Sequence, residues 1–501
     1  MEALLLLGDG FGVALTAENL FYCFLGALLG TLIGVLPGLG PLATVSMLLP
    51  ITFTLNPAAA IIMLAGIYYG AQYGGSTTAI LVNLPGESSS VVTCLDGYKL
   101  ARQGRAGPAL AIAALASLFA GLVSTMVLVL AAQPLVRVAQ QFGPAEYVSL
   151  MALGLIAAVV LSSGSPLKAI AMVILGLLLG TVGTDLTTMA PRMTLGFLEL
   201  SDGIGFVPLA VGLFALPEIM RNLEVKGAVS VLADRIGRVW PSREDFRRSA
   251  LPAIRGTALG SMLGILPGGG AILSSFAAYS LEKRVSKHPE AFGTGVIEGV
   301  AAPEAANNAG AQTSFIPLLT LGLPSNPMMA MMAGAMMIHG IQPGPNVISS
   351  RPDVFWGLIA SMFIGNLMLV LINLPLIRIW VTLLRVPYRM LYPFVIVLCC
   401  IGVYSINNSA FDVLTAVVFG IFGYFMVKLA FEPAPLLLAF VLSPLLEENF
   451  QRAMLISGGD PGIFVERPIS LGLLLAAGGF LLLLALPRFR TSRRSLFQDG
   501  D

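Results

Sequence analysis

The amino-acid sequence predicts an all-α integral membrane protein, a polytopic helical bundle of about 11–12 transmembrane helices. It further predicts two inverted repeats, each carrying a re-entrant Pro-Gly hairpin. Three observations lead there. The 501 residues are 56% hydrophobic and only 11% charged, with a mean hydropathy of +0.87; a soluble chain carries roughly 25% charged residues. Apolar stretches close to the ~20 residues that cross a bilayer recur almost end to end. One motif, Gly-x-x-x-Gly-x-Leu-Pro-Gly-x-Gly, occurs twice.

The net charge of +1 excludes a charge-driven nucleic-acid partner. The four cysteines, Cys23, Cys94, Cys399 and Cys400, have no metal-ligand spacing and read as packing residues. MEALLLLGDGFG at the N-terminus has no basic region and is broken at Gly8-Asp9-Gly10, which argues against a cleavable signal.

In chain order, the expected spans are Pro57–Leu81, Gly107–Gln133, Pro144–Ser163, Pro166–Gly183 and Ile204–Met220. Thr313–Met337, Val354–Ile377, Tyr392–Tyr404, Phe411–Lys428, Pro435–Leu446 and Ile469–Leu486 follow. Asn19–Leu55 is interrupted by Pro37-Gly38-Leu39-Gly40-Pro41, and Ile254–Leu281 by Pro267-Gly268-Gly269-Gly270. Their flanks are short, so both read as re-entrant hairpins or broken helices, bent where glycine lacks Cβ and proline lacks an amide.

Sidedness follows from the basic residues. No Lys or Arg precedes Lys99; Arg102 and Arg105 follow, and Arg221–Arg255 is a dense basic stretch. The positive-inside rule makes these loops cytoplasmic. Span parity then puts the N-terminus outside, the Gly340–Arg351 loop outside and the C-terminus in the cytoplasm. The chain therefore reads as one membrane domain, 1–501, with a first repeat core over 19–105 and linking spans over 106–220. A cytoplasmic loop over 221–253 leads to an inverted second core over 254–350. C-terminal spans over 351–486 and a cytoplasmic tail over 487–501 complete it.

The repeat itself is GTLIGVLPGLG at Gly30–Gly40 against GSMLGILPGGG at Gly260–Gly270. Downstream, LVNLPGE at Leu81–Glu87 answers TLGLPSN at Thr320–Asn326, with a spacing that differs between the halves. One copy starts from an external N-terminus and the other from a cytoplasmic loop. Inverted repeats with broken helices are the mark of secondary transporters, whose site lies near the midplane.

Candidate site residues follow from the breaks. Free amides at a half-helix N-terminus attract an anion, and free carbonyls attract a cation. Gly38, Gly40, Gly86, Gly268, Gly269 and Gly270 are thus candidate substrate-binding positions, unless these glycines serve only helix packing. In EGVAAPEAANNAGAQTS at Glu298–Ser314, Pro303 suits a first helical turn. Glu304, Asn308 and Gln312 recur every four residues, beside Asn307. Ser76, Thr77 and Asn83 in the first half, with Ser325 and Asn326 in the second, add small polar groups. Their alternative use is as hydrogen bonds between helices. Intramembrane acids mark ion pathways, so Glu304, with Glu87 and Glu298, is a candidate ion-linked acid. No Lys or Arg falls inside these motifs, and dipoles would hold the anion.

Enzyme motifs are missing. There is no HExxH and no Walker sequence, and the only histidines are His288 and His339.

The motifs resemble those of the TctA family, the large membrane subunit of tripartite tricarboxylate transporters. The matching stretches are Gly30–Pro50, Tyr68–Glu87, DGYKLARQGRAGPAL at Asp96–Leu110, Gly264–Gly270, Glu298–Ser325 and GIQPGP at Gly340–Pro345. The resemblance implies a secondary carrier for carboxylates in the bacterial inner membrane, without a cofactor and driven by sodium or protons. It also implies two partners, a small membrane subunit of about four helices and a periplasmic solute-binding protein. A self-contained carrier and a membrane-embedded enzyme or scaffold are the other classes that the residues leave open.

Overall fold

A computed structural model describes residues 2–36, 39–162, 164–185, 188–224, 239–266, 270–384 and 388–485. Gly38, Gly268, Gly269 and the 487–501 tail lie outside them, as do residues 225–238 of the expected 221–253 loop.

The protein is an all-α, multi-pass membrane protein. Its first four helices are α1 (Glu2–Ala14), α2 (Ala17–Gly34), α3 (Pro41–Thr52) and α4 (Pro57–Val82). Next come α5 (Val91–Arg102), α6 (Ala106–Ala139), α7 (Pro144–Leu161), α8 (Pro166–Gly180) and α9 (Phe206–Glu224, with one π turn). The second half holds α10 (Arg243–Ile265), α11 (Gly270–Val285), α12 (Glu298–Thr313), α13 (Phe315–Leu321), α14 (Pro327–Ile338) and α15 (Pro352–Asn373). It ends with α16 (Ile377–Leu383), α17 (Tyr388–Asn407), α18 (Ala410–Lys428), α19 (Pro433–Ile456) and α20 (Pro468–Ala485). Among the described residues six helices, α2, α6, α7, α9, α15 and α18, are long and apolar enough to cross a membrane.

Two core helices carry the architecture. In α4 every residue from Ala58 to Val82 is buried, and in α12 every residue from Gly299 to Thr313. Protein surrounds both, so they can be polar at a depth where a lipid-facing helix cannot. Asn56 caps α4 by accepting from the Ala59 amide at 2.9 Å, and Pro57 starts it at the position where proline has no bond to lose.

Glycine sets the closest approach. A Cβ on Gly26, Gly30 or Gly34 of α2 would lie 2.3–2.4 Å from the carbonyl oxygens of Met63, Ile67 and Ala71 on α4. The same register recurs in the second half, where Gly256, Gly260 and Gly264 of α10 meet the carbonyls of Ala302, Ala306 and Gly310 on α12. This establishes the repeat in three dimensions. It also locates the spacing difference: the second copy has nine more residues between hairpin arm and core helix, in α11 and the loop after it.

Each hairpin starts and finishes at one end of the molecule. Asn56, before α4, donates to Glu18 at the start of α2 at 2.8 Å. Arg248 near the start of α10 pairs with Glu298 at the start of α12, and Arg255 with Glu282 at the end of α11. The second hairpin shares its end with Arg105, which pairs with Asp245. Burial opposes ionisation of Asp245, but bonds from Ser242 and Arg105 outweigh it and hold the carboxyl below its usual range. The first hairpin's end holds His339, whose ring lies 6.5 Å from that of Phe53. The core helices thus run in opposite directions. Away from the cores, Arg192–Glu447, Arg467–Glu146 and Lys428–Glu224 each join residues that the charge-derived topology puts on one side.

Three expectations need correction. Thr313–Met337 is not one span: it is interrupted at Gly322–Asn326, where Gly322 takes φ +72°. The Arg221–Arg255 stretch is not all loop, because α9 runs to Glu224 and α10 starts at Arg243 behind a Ser242–Asp245 capping box. That start is too polar for hydropathy to register as helix. Finally, α12 starts at Glu298, five residues before Pro303, which leaves the Gly299 carbonyl without its helical donor.

In a cysteine-free background, single cysteines at the exposed positions Gln103 and Gln342 should label from opposite faces of intact cells. Labelling of both by one impermeant reagent from the same side would refute the inverted arrangement.

Candidate functional site

The backbone breaks twice in each repeat, and the breaks come in pairs. Asn83 ends α4 in the left-handed conformation (φ 59°), as Gly322 ends α13. A Leu-Pro pair follows each. Glu87 (φ −145°, ψ 163°) and Asn326 (φ −153°, ψ 170°) then cap the next helical segment. In the first repeat this break meets the hairpin tip: an added Cβ on Gly86 would lie 2.3 Å from Gly75 Cα, and one on Gly40 would lie 3.6 Å from the Gly86 carbonyl oxygen. In the second, Ser314 donates to the carbonyls of Gly264 and Gly310, at 3.1 and 2.6 Å. Asn326 donates to the Ser314 hydroxyl at 2.9 Å, beside Gly270 and Ser325. In the second repeat, serine and asparagine side chains thus add hydrogen bonds around the break.

Between the breaks lies a network joining the repeats. Glu304 is 1% exposed. Its Oε2 accepts from Ser76 at 2.7 Å and its Oε1 from Thr93 of α5 at 2.5 Å. Asn307 Nδ2 donates to Glu87 at 2.9 Å, so Asn307 Oδ1 must accept, here from Gln72 Nε2 at 3.3 Å. Asn308 donates to Ser117 of α6 at 2.7 Å, and Gln312 accepts from Thr125 at 3.4 Å. Asn308 Oδ1, Gln312 Nε2 and Asn373 Oδ1 are buried without a hydrogen-bond partner. Tyr73 and Cys94 also lie near Glu304, and Tyr68 near Glu87.

A cleft opens onto this network. It spans about 320 Å³ of empty space, partly open to the surroundings, between α4, α6, α12 and the α15–α16 turn. Glu304, Ser76, Thr77, Ser117 and Asn373 give it polar groups, and Leu110, Leu374 and Ile377 its apolar wall. Only ~20 Å³ of it admits a water-sized sphere, room for about one water molecule. A carboxylate the size of a sugar acid cannot enter this conformation.

The network therefore brings together Glu304, Glu87, Ser76, Asn307, Asn308 and Gln312, with Thr77 at its cleft. Gly40 and Gly86 border it, whereas Gly270, Ser325 and Asn326 form the second break. Asn83 is the exposed helix cap. Glu298 is apart, paired with Arg248 at 2.7 Å at the end of the molecule. Sequence reasoning missed Thr93, Ser117 and Asn373. Asn373 carried a signal, since Asn373-Leu374-Pro375 repeats the pattern of Asn83-Leu84-Pro85. Among the described residues no group of acids, histidines and cysteines could hold a metal ion.

Comparison with known proteins adds the relationship. The family model described as "Tripartite tricarboxylate transporter TctA family" matches residues 20–438. The chain is 57% identical over 501 residues, 100% of both chains, to an uncharacterized 52.8 kDa protein in the TAR-I ttuC' 3' region of Agrobacterium vitis. It is also 57% identical over 242 residues, 48% of this chain and 100% of the relative, to an uncharacterized protein in the TAR-II ttuC' 3' region of that organism. No solved structure matches the chain.

Gly86→Ala should destabilise the purified protein by at least the ~1–3 kcal/mol typical of overpacking, because the added methyl meets backbone. Gly40→Ala, whose methyl makes ordinary contact, should melt within a degree or two of wild type. Equal melting temperatures for the two variants would contradict the assigned contact.

Proposed function

The chain belongs to the tripartite tricarboxylate transporter TctA family, and from that premise we propose that it carries organic carboxylates by secondary active transport. The single observation that carries this reading is the Glu304–Glu87 network, buried between two inverted repeats and opening onto a polar cleft. An acid at membrane depth is expensive, and one kept there marks an ion pathway. Glu304 is held only by neutral donors, so its charge state is free to follow a bound cation. Sodium or a proton fits that role. The anion would be bound by the hydroxyls of Ser76, Thr77 and Ser117 and by the free Nε2 donor of Gln312, together with the backbone at Gly40, Gly86, Gly270 and Ser325, whereas the free carbonyl oxygens of Asn308 and Asn373 can only accept and suit the cation.

Such a site binds a free anion weakly, since desolvating a carboxylate is costly and no fixed cation compensates. Delivery by a docked periplasmic solute-binding protein would raise the local concentration of ligand. In this reading the chain is the large subunit in the bacterial inner membrane, its N-terminus periplasmic and its C-terminus cytoplasmic. A small membrane subunit of about four helices completes the transporter. The cleft as it stands represents a closed state.

Liposomes holding this chain alone should take up negligible micromolar substrate. Uptake should start when the small subunit and the liganded binding protein are added under an inward sodium or proton gradient. Full-rate transport by the lone subunit would overturn the dependence on partners. Glu304→Gln should lower gradient-driven uptake by roughly 10- to 150-fold, the value of a hydrogen bond to a charged group. It should spare exchange of substrate across the membrane without a gradient; unchanged coupling in that variant would move the ion site elsewhere.

A further inference from the structure

Asp96 opens the motif that continues to Leu110, and it has no place in the site proposed above. Its carboxylate is fully buried. Oδ1 accepts from the amides of Gly293 at 2.9 Å, Gly295 at 2.8 Å and Val296 at 2.9 Å. Oδ2 accepts from the Gly293 amide at 3.0 Å and the Tyr279 hydroxyl at 2.9 Å. Gly293 and Gly295 have φ of +86° and +110°, so the loop can turn its amides inward only as glycine. A Cβ on Gly299 would lie 2.2 Å from Oδ2, so α12 too must offer glycine there.

The carboxylate belongs to the first repeat and every one of these donors to the second. Thr93 stands three residues before Asp96, one turn away on the same side of α5, and donates to Glu304. Two flanking bonds follow the same path. Ser275 of α11 donates to the Ser89 carbonyl at 2.6 Å, and Gln103 to the Thr294 carbonyl at 2.8 Å. The clasp therefore fixes α5 against α12 at one turn's distance from the acid.

We propose that Asp96 is a positioning residue: its grip on the glycine loop holds Thr93 in hydrogen-bond contact with Glu304 and so sets the cation affinity of that acid. The inference rests on the reading of Glu304 as the ion-linked group. An asparagine at position 96 would keep one accepting oxygen but put an N–H pair at the Oδ2 position, facing the Gly293 amide, and the grip on the loop would weaken. A purely structural role would lower the amount of folded protein. A positioning role would in addition change the cation dependence of the protein that does fold.

The test is the melting temperature of the purified full chain, titrated with sodium chloride against choline chloride at constant ionic strength, and separately with pH. Wild type should show a cation-dependent rise with a defined midpoint. Asp96→Asn and Thr93→Val should each move that midpoint by about tenfold in sodium or one pH unit, the loss of one charged hydrogen bond. The double variant should move it no further. Tyr279→Phe, which removes one donor and leaves the loop intact, should shift it in the same direction by less, and serves if Asp96→Asn fails to fold. An unchanged midpoint in Tyr279→Phe and Asp96→Asn, or shifts that add in the double variant, would overturn the proposal. If wild type shows no cation dependence and matches Glu304→Gln, the assignment of Glu304 fails and this inference falls with it.

Discussion

The rest of the structure depends on backbone-to-backbone contact between each hairpin arm and its core helix. Gly26, Gly30 and Gly34 against α4, and Gly256, Gly260 and Gly264 against α12, leave no space for side chains. That contact does two things. It gives packing where lipid supplies no hydrophobic drive between helices, and it wraps the core helices so fully that polar residues on them never meet lipid. Gln72, Ser76, Glu304 and Asn307 are tolerated at that depth because they hydrogen-bond one another, Glu87 and Thr93 inside the protein.

The same contact brings each hairpin tip to the break of its own repeat. A re-entrant tip has more unpaired backbone than a continuous helix, and that backbone must be answered inside the protein or by water. The two repeats answer it differently. In the second, Ser314 and Asn326 supply neutral hydrogen bonds around Gly264, Gly270 and Gly310. In the first, the position matching Asn326 is Glu87, and its carboxylate reaches across to Asn307 of the other repeat. Symmetry of backbone thus coexists with asymmetry of charge, and the acids collect on one side of the pseudo-symmetric pair.

Much of this was legible in the sequence, for physical reasons particular to each element. Glycine every four residues and a Leu-Pro-Gly break have few uses other than close packing and a bend, so the repeat could be read directly. The ion pairs Arg192–Glu447, Arg467–Glu146 and Lys428–Glu224 each join residues that the charge-derived topology puts on one side. The break after Gly322 shows as a Leu-Pro motif, but hydropathy averages over a turn of five residues and hides it inside an apolar stretch. Partners on neighbouring helices were not legible. Thr93 and Ser117 look like ordinary hydroxyls that bond their own helix, and only tertiary contact assigns them to Glu304 and Asn308. Glu298 and Glu304 illustrate the same limit. They share a helix and differ by six residues, yet Arg248 claims the first at the end of the molecule, whereas the second meets only hydroxyls.

The closed cleft bears on how such a site could work. With room for about one water molecule beside Glu304, admission of a carboxylate requires the elements around it to separate. Its walls are α4 and α12 on one side and α6 with the α15–α16 turn on the other. The first pair is locked to the hairpins by glycine contact, and at one end by the Asp96 clasp, so these parts resist separation from each other. Against α6, α12 also packs closely along its length, and hydrogen bonds join Asn308 to Ser117, Thr125 to Gln312, and Ser124 to Ser261 of α10. Under the proposed function, a carboxylate entering the cleft would have to displace α6 or the α15–α16 turn from this packing.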